Sequence, residues 1–345
     1  MKINFIYLFV FLILFRISLK ANVLRTDTIT LLEWNVENLF DCRHDTLKND
    51  IEFLPTSIRH WTYYRYRHKL DQIAKTIIAA GEWNPPTLVA LCEVENDSVL
   101  VALTRYSALA EQGYRYVMTH SPDQRGINVA LLYQRDHFKL IESKSIKIEP
   151  FNHYKPTRDI LHVTGLVTLK DTLDIFIVHA PSRAGGVLET QPYRMKCMEI
   201  LKGHVDSVML NRQKPNVIVT GDFNDFPDSP SIRKILQVKI PGPDNSDMTL
   251  YHLLAQKVKK DKTGTYKYKG EWNLLDHLIV NSNLIDPKNS IYTNEQMTEI
   301  IRLPFLMTDD TTYNGYRPLR TYYGMKYEGG YSDHLPLRLK LIIQN

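Results

Sequence analysis

Short apolar runs alternate along this chain with amphipathic stretches, and many of the apolar runs end in a residue that carries chemistry. The clearest is Val217-Ile218-Val219-Thr220-Gly221-Asp222-Phe223-Asn224-Asp225. Its β-branched residues predict a short buried strand. Gly221 then allows a sharp turn where a side chain would clash. Asp222 and Asn224, two apart, are able to point the same way. A carboxylate and a carboxamide delivered together suit water activation beside a phosphate, and they equally suit an ordinary polar turn.

Repetition favours the first reading. Thr30 to Asn35, Leu88 to Glu93, Ile175 to His179 and Leu274 to Val280 are further apolar runs bearing acids, amides or histidines. The cluster Tyr331-Ser332-Asp333-His334-Leu335-Pro336 precedes a closing run from Leu337 to Ile343. Polar groups gathered at strand ends are how a rigid sheet presents a site. Between these runs the 3.6-residue period predicts a helix from about Trp61 to Ala80, with Leu70, Ile73, Ile77 and Ala80 on one face. It ends at Gly81 and Pro85-Pro86. Further helices are expected from about Ser98 to Gln112 and about Pro192 to Leu210. Strands are expected at Tyr114–Met118, Asn128–Tyr133, Leu140–Ile148, Ile160–Leu169 and Thr172–Val178. Two halves that each mix strands and helices suggest two packed sheets with helices outside. Strand counting alone does not separate that sandwich from one doubly wound sheet.

Composition narrows the class. A chain of 345 residues, 43% hydrophobic and 23% charged, can fold as one large globular domain. The formal charge of +5 invites a nucleic-acid reading, but Lys2, Arg16 and Lys20 carry three of those charges in the expected leader, and the remaining +2 names no partner. Residues 3–15 are an apolar run after Lys2, interrupted by Arg16. That is short for a bilayer crossing and suits a signal segment, with Ser18 and Ala21 as small residues for cleavage. The expected organisation is a signal peptide over 1–21 and a catalytic domain over 22–345. The expected location is exported, periplasmic or extracellular, with no membrane span in the mature chain and a monomeric state. Cys42, Cys92 and Cys197 supply neither a disulfide framework nor a zinc motif.

Asn35, Glu93, His179, Gly221-Asp222-Phe223-Asn224, Asp276 and Ser332-Asp333-His334, in this order over residues 29–345, resemble the endonuclease/exonuclease/phosphatase superfamily of deoxyribonuclease-I-like hydrolases. Its exported bacterial members are the most similar. The resemblance implies an α/β fold, a four-layered α/β/β/α sandwich of two mixed sheets with helices on the outside. It also implies Mg²⁺ (or Mn²⁺ or Ca²⁺) and hydrolysis of a phosphate ester, with a nucleic acid among the expected substrates. Residue by residue, Glu93 resembles the metal-holding carboxylate, with Asn35 and Asp333 beside it. Asp222 resembles the group that orients or deprotonates water. Asn224 and His179 resemble phosphate contacts, and His334 a phosphate-binding histidine oriented by Asp276. Arg158 and Asn128 are expected near the substrate. Where many relatives have Gln before the metal-binding Glu, this chain has Cys92, which weakens a deoxyribonuclease assignment more than a hydrolase assignment.

The substrate is less legible. Residues 59–69 interleave four Arg/Lys with aromatics and would stack bases, or else form the packed start of a helix with snorkelling cations. Residues 257–269 add six lysines, and Arg317, Arg320 and Lys326 stand among tyrosines. A nuclease or phosphodiesterase, a sphingomyelinase-type lipid phosphodiesterase, an inositol or sugar phosphatase, and a non-catalytic binding module all remain open. His277 is expected to face away from Asp276, Asp225 and Asp228 to be turn acids, and His162, His204 and His252 to be surface or core residues.

Overall fold

The computed structural model describes residues 26–150, 155–168, 171–243 and 245–344. The signal-peptide reading of residues 1–21 falls outside them. Among the described residues no helix is long and apolar enough to cross a membrane.

Strands β1 (Thr26–Leu39), β2 (Leu88–Val94), β3 (Tyr114–Met118) and β4 (Asn128–Gln134) belong to one sheet. Strands β5 (Lys139–Ile146), β6 (Ile160–Leu166), β7 (Thr172–His179), β8 (Val217–Asp222) and β9 (Leu250–His252) belong to the other. A hairpin, β10 (Tyr266–Tyr268) and β11 (Glu271–Asn273), leads to β12 (Asp276–Asn281). The chain continues through β13 (Ile291–Tyr292), β14 (Thr298–Ile300), hairpins β15 (Met307–Asp309) with β16 (Tyr316–Pro318) and β17 (Tyr322–Tyr323) with β18 (Lys326–Tyr327), and β19 (Leu337–Gln344). The first sheet runs β13-β19-β1-β2-β4-β3, with β14 also on β19; the second runs β5-β6-β7-β8-β12-β9.

Each sheet has one parallel pair at its centre, β1 with β2 and β7 with β8, flanked by antiparallel partners. Parallel neighbours deliver their C-terminal ends to the same edge. That is why Asn35 and Glu93 meet on one sheet and His179 and Asp222 on the other. Because β12 runs antiparallel to β8, its first residue, Asp276, reaches that edge too.

Helices α1 (Tyr63–Ala80) and α2 (Asp97–Arg105) cover the first sheet, and α3 (Val187–Asn211) covers the second. The alternation within β1 explains the layers. Leu32, Trp34 and Val36 pack under α1 with Leu70, Ile73 and Ile77. Ile29 and Leu31 point the other way, into the core between the sheets with Ile177, Ile218, Leu278 and Leu339. A third core lies between the second sheet and α3, around Phe176, Val219, Met198 and Leu201. A strand buried on both faces reads as nearly continuous apolar sequence. The architecture is therefore the two-sheet sandwich with outer helices, and not one doubly wound sheet.

Among the boundaries that differ from the sequence reading, three bear on the fold. The helix expected to reach Gln112 stops at Arg105, where Ser107 Oγ turns back onto the Leu103 carbonyl and accepts from the Leu109 N–H. Helix α3 begins at Val187, before Pro192, and in its first turn Thr190 Oγ1 and the Arg194 guanidinium donate to the Gly186 and Val187 carbonyls. Gly221 is a strand residue rather than a turn. The turn follows Asp222.

Gly221 nonetheless requires glycine. Its φ is +127°, and a Cβ there would sit 2.0 Å from the Val178 carbonyl oxygen on β7. Gly221→Ala should therefore lose about 2–4 kcal/mol, the scale of a strained backbone with a hard clash added. Urea denaturation measures it, and an unchanged midpoint would show that β7 and β8 tolerate a wider spacing.

Candidate active site

One register row fixes most of the site. Asp222 on β8 pairs with His179 on β7 and with Asp276 on β12, so three polar side chains stand abreast at the end of the second sheet. From the first sheet, Asn35 reaches across and its Nδ2 donates to Asp222 Oδ2 at 3.0 Å. The Asn224 backbone N–H donates to Asp222 Oδ1 at 2.8 Å. Both carboxylate oxygens are thus fixed from two directions. Asp222 Oδ2 lies 3.6 Å from His179 Nε2 and 3.9 Å from His334 Nε2.

His334 arrives on the loop before β19. Ser332 Oγ donates to the Asn35 carbonyl at 2.6 Å and accepts the His334 N–H at 3.1 Å, tying the Ser-Asp-His turn to the end of β1. The Trp34 indole donates to the His334 carbonyl at 2.9 Å. His334 Nδ1 then meets Asp276 Oδ2 at 2.7 Å, and Thr265 Oγ1 donates to the same oxygen.

Burial and charge push the two histidines apart. Burial opposes a charge on His334, but Asp276 in contact, then Asp222 and Asp333, outweigh it and hold the pKa well above the ordinary histidine value. His179 goes the other way: burial first, then Arg158, Arg125 and His334, hold its pKa well below that value. At neutral pH His334 is an imidazolium and His179 a neutral ring. Burial, offset in part by His334, pushes Asp222 up to about 7.

Glu93 sits at φ +66°, a left-handed conformation in which a non-glycine residue is strained. Its Oε2 accepts the Asn38 N–H at 2.8 Å, and its Oε1 lies 3.8 Å from His179 Nε2. Asn224 shares the strained backbone, at φ +50°. Its Nδ2 donates to the Ala180 carbonyl at 3.1 Å. Asp333 Oδ2 accepts from Arg320 at 2.7 Å, and Arg320 also binds Glu37 at 3.2 Å. Although burial alone would raise it, Arg320, His334 and Lys69 bring the Asp333 pKa below the usual carboxylate value. A cavity of about 480 Å³ opens over Asn35, Glu93, His179, Asp222, Asn224, Asp333 and His334.

The other two expected residues lie elsewhere. Asn128 does not line the cavity. Its Oδ1 accepts from Ser121 and Thr119 and its Nδ2 donates to the Glu95 carbonyl, so the amide is spent on holding the loop before β4. Arg158 is buried and paired with Asp123 at 3.2 Å, while its Nε and Nη2 donate to the His179 and Ala180 carbonyls. It braces the strand end beneath His179. Asp225 stands in the turn after β8, as expected of a turn acid, and is buried there against Arg194 at 2.9 Å and Ser231 at 2.6 Å. His277 faces away from the cavity, between His252 and the Asp225 carbonyl.

The structure adds residues that no sequence motif marked. Arg125 and Arg183 are the arginines lining the cavity, beside Ser182, Tyr266, Tyr268 and Asn273. The Arg183 guanidinium lies 4.3 Å from the Phe226 ring centre. Its position four residues after the strand-ending His179 was the available clue.

The basic, aromatic segment at 59–69 is largely consumed by folding. Arg59 lies over Tyr322, Arg65 over Tyr327, and buried Lys69 donates to Thr321 Oγ1. These contacts fasten α1 to the loop that carries Asp333 and His334. Lys267 pairs with Asp310, and Arg317 makes a two-pronged pair with Glu328.

For a divalent ion two donor sets present themselves. Asp222, Asp276 and His334 offer ligand atoms within 4.8 Å of one another. However, a protonated His334 engaged with Asp276 is a poor partner for a hard cation. Glu93 presents an oxygen toward the cavity beside Asp222, and oxygen donors with room for water suit such an ion.

Taken together, a two-sheet sandwich whose strand ends gather a buried aspartate, two histidines in opposite charge states and an open carboxylate defines a phosphoester hydrolase. The family model described as "Endonuclease/Exonuclease/phosphatase family" matches residues 30–342, and the chain belongs to that family. No curated protein matches the sequence significantly. Among solved structures, a humanised TDP2 from D. rerio is similar at 15% identity and a TM-score of 0.55, covering 91% of this chain and 98% of that one. The catalytic domain of human nocturnin gives 17%, 0.54, 92% and 97%. A mannosyl-6-phosphatase from Bacteroides thetaiotaomicron gives 14%, 0.54, 91% and 99%. At these identities the likeness concerns the fold.

The Asp276–His334 pair makes a direct prediction. Asp276→Asn keeps the shape and loses the charge that holds His334 protonated, so the His334 pKa should fall. If the imidazolium is the working form, activity is lost as pH rises through that pKa, and the loss should come at lower pH in the variant. NMR titration of His334 with a parallel pH–rate profile checks both, and an unmoved pKa would dissolve the pairing.

Proposed function

We propose that this protein is a divalent-metal-dependent phosphoesterase in which water held by Asp222 attacks phosphorus in line with the departing ester oxygen. The observation that carries the reading is a buried Asp222 with both oxygens anchored, between neutral His179 and cationic His334, at the floor of a cavity that Glu93 also enters. A carboxylate pushed to about 7 is matched to accepting a proton near neutral pH. His334 supplies positive charge where phosphoryl oxygens become more negative, and a rigid arrangement of such groups favours the transition state over the ground state. His179 contacts a phosphoryl oxygen without adding charge. Asn35 orients Asp222, and Arg158 fixes the backbone that carries His179. A cation bound at Glu93, with Asn35 and Asp333 near it, would neutralise developing charge on the phosphate.

The ester class we favour is a nucleotide-sized diester or a small phosphate monoester. A cavity of about 480 Å³ is the size of a small-ligand site. Several cations of the segment at 59–69, with Lys267, Arg317 and Arg320, are already engaged within the fold, and Arg125 and Arg183 are the arginines that line the cavity. Plasmid DNA, RNA, nucleotides, sphingomyelin and sugar phosphates assayed side by side, with and without chelator, test this. Turnover of long nucleic acids alone would restore the nuclease reading. No turnover of any ester would leave the binding module.

Two residues separate chemistry from binding. Asp222→Asn should lower kcat by about 10²–10⁴-fold, the range of general-base assistance, with substrate Kd equal or tighter as a repelling charge is removed. Glu93→Ala should instead weaken Mg²⁺ binding in calorimetry. A near-normal kcat with a raised Kd in the first variant, or unchanged metal affinity in the second, would reverse these roles.

We also propose that the protein acts outside the cytoplasm, on the strength of the apolar run at residues 3–15 and the small residues Ser18 and Ala21. N-terminal sequencing of the protein from its native host should begin near residue 22. A start at Met1 in a soluble cytoplasmic fraction would refute it.

A further inference from the structure

The catalytic cavity has a neighbour of about 640 Å³. Two chain segments lead from one to the other: the turn that leaves β8 and the segment that enters β12. They are tied together by the Phe223 N–H, which donates to the Leu275 carbonyl at 2.8 Å. Near the tie, Asn224 and Leu275 line the catalytic cavity. Farther along the same two segments, Phe226 and Trp272 line the second cavity, and Asn273 lines both. At the junction the Arg183 guanidinium, which lines the catalytic cavity, lies 4.3 Å from the Phe226 ring centre, and its Nε is buried without a partner. The half-buried part of the second wall is apolar, with Val238, Ala255 and Val258. His252 offers nothing to a ligand there, because its ring nitrogens are engaged by His277 and by the Leu254 and Ala255 N–H groups. The exposed part is basic: Arg233, Lys239 and Lys259 stand against one acid, Asp228. Among the described residues none of these three cations forms an ion pair.

We propose that the second cavity is the subsite for the part of the substrate beyond the scissile phosphate, and that this part is a nucleoside bearing a second phosphate. Its volume is that of a small-ligand site. A flat base matches a wall with Phe226 and Trp272, since aromatic side chains take any base by stacking. The second phosphate matches the unpaired Arg233 and Lys259, which gain charge-assisted hydrogen bonds from it. Neither simpler occupant uses both features. An acyl chain would satisfy the apolar wall and leave three cations idle. A sugar phosphate would satisfy the cations and leave the aromatic wall empty. The substrate is then a nucleoside bisphosphate that lies along both cavities, with Arg183 at the point where it passes from one to the other. Water still attacks phosphorus beside Asp222, the ester P–O bond there breaks, and the second phosphate stays on the nucleoside product. Which phosphate is cleaved rests on the phosphoesterase reading, whereas occupancy of the second cavity does not.

Calorimetry on the whole protein tests it, in an Asp222→Asn background so that ligand is not consumed. The ligands are adenosine 3′,5′-bisphosphate, ribose 5-phosphate and dihexanoyl phosphatidic acid. Each is titrated before and after adding Trp272→Ala, or Arg233→Ser together with Lys259→Ser. The bisphosphate should bind about 10-fold or more tighter than ribose 5-phosphate, as one stacked base allows. Trp272→Ala should weaken the bisphosphate by about 10-fold. The double serine variant should weaken it by a similar factor, about 10-fold at low salt and less as salt screens the contact. Ribose 5-phosphate, which does not reach the second cavity, should bind all forms within about twofold of one another. A bisphosphate that binds no tighter than ribose 5-phosphate, or that ignores both sets of substitutions, would overturn the proposal. Preference for the phosphatidic acid, lost in Trp272→Ala, would also overturn it and give the cavity to an acyl chain. If Trp272→Ala fails to fold, the exposed Arg233 and Lys259 pair still decides. Bisphosphate that binds as expected but is not hydrolysed by wild type with Mg²⁺ would refute the proposed function and keep the subsite. Hydrolysis with a KM blind to both sets of substitutions would do the reverse.

Discussion

The site depends on keeping one carboxylate, Asp222, in the seam between two sheets. A charge in such a place costs several kcal/mol unless it is paired and hydrogen-bonded. The fold answers from both sheets at once. Asn35 comes from the first, the Asn224 backbone from the turn after β8, and His334 from the loop before β19. None of these holds Asp222 if β8 slips by one residue against β7 and β12, because a one-residue slip turns every side chain of a strand to the other face. The β7–β8–β12 register is therefore as much part of the site as the residues are.

The same seam explains how two histidines a few ångströms from one aspartate differ in charge. His334 has its other nitrogen on Asp276, an acid in the same row, and becomes a cation. His179 is buried, with Arg158 bound to its own carbonyl and Arg125 nearby, and it stays neutral. Environments that push like groups apart are the usual way to obtain an electrophile and a neutral hydrogen-bond partner from one residue type. Arg158 thus acts on the site without entering it.

Substrate recognition is narrowed by what folding has already used. Cations and aromatics that look free in the sequence form the joint between α1 and the loop bearing Asp333 and His334. That joint sets the height of the loop over the cavity. Its cost is that few basic groups remain for a long anionic partner near the mouth, where Arg125 and Arg183 are the lining arginines.

Much of the fold was legible in the sequence, and for identifiable reasons. Strands buried on both faces announced themselves as apolar runs, and helix α1 by its period, because burial imposes those patterns locally. The strand-end residues Asn35, Glu93, His179 and Asp222 were legible because a polar residue that closes an apolar run has few places to go. Helix ends were less so: Ser107 and Arg194 moved two of them through side-chain bonds that no periodicity carries. What each polar residue does was decided only in three dimensions. Asn128 and Arg158 read as substrate contacts, but their partners, Ser121, Glu95, Asp123 and the His179 carbonyl, come from distant parts of the chain. Arg125 and Arg183 carried no motif, and the cavity they line is formed where the two sheets meet. Sequence determines which face a residue takes. Only the meeting of two sheets determines which charges it must live beside, and those neighbours set its protonation and its role.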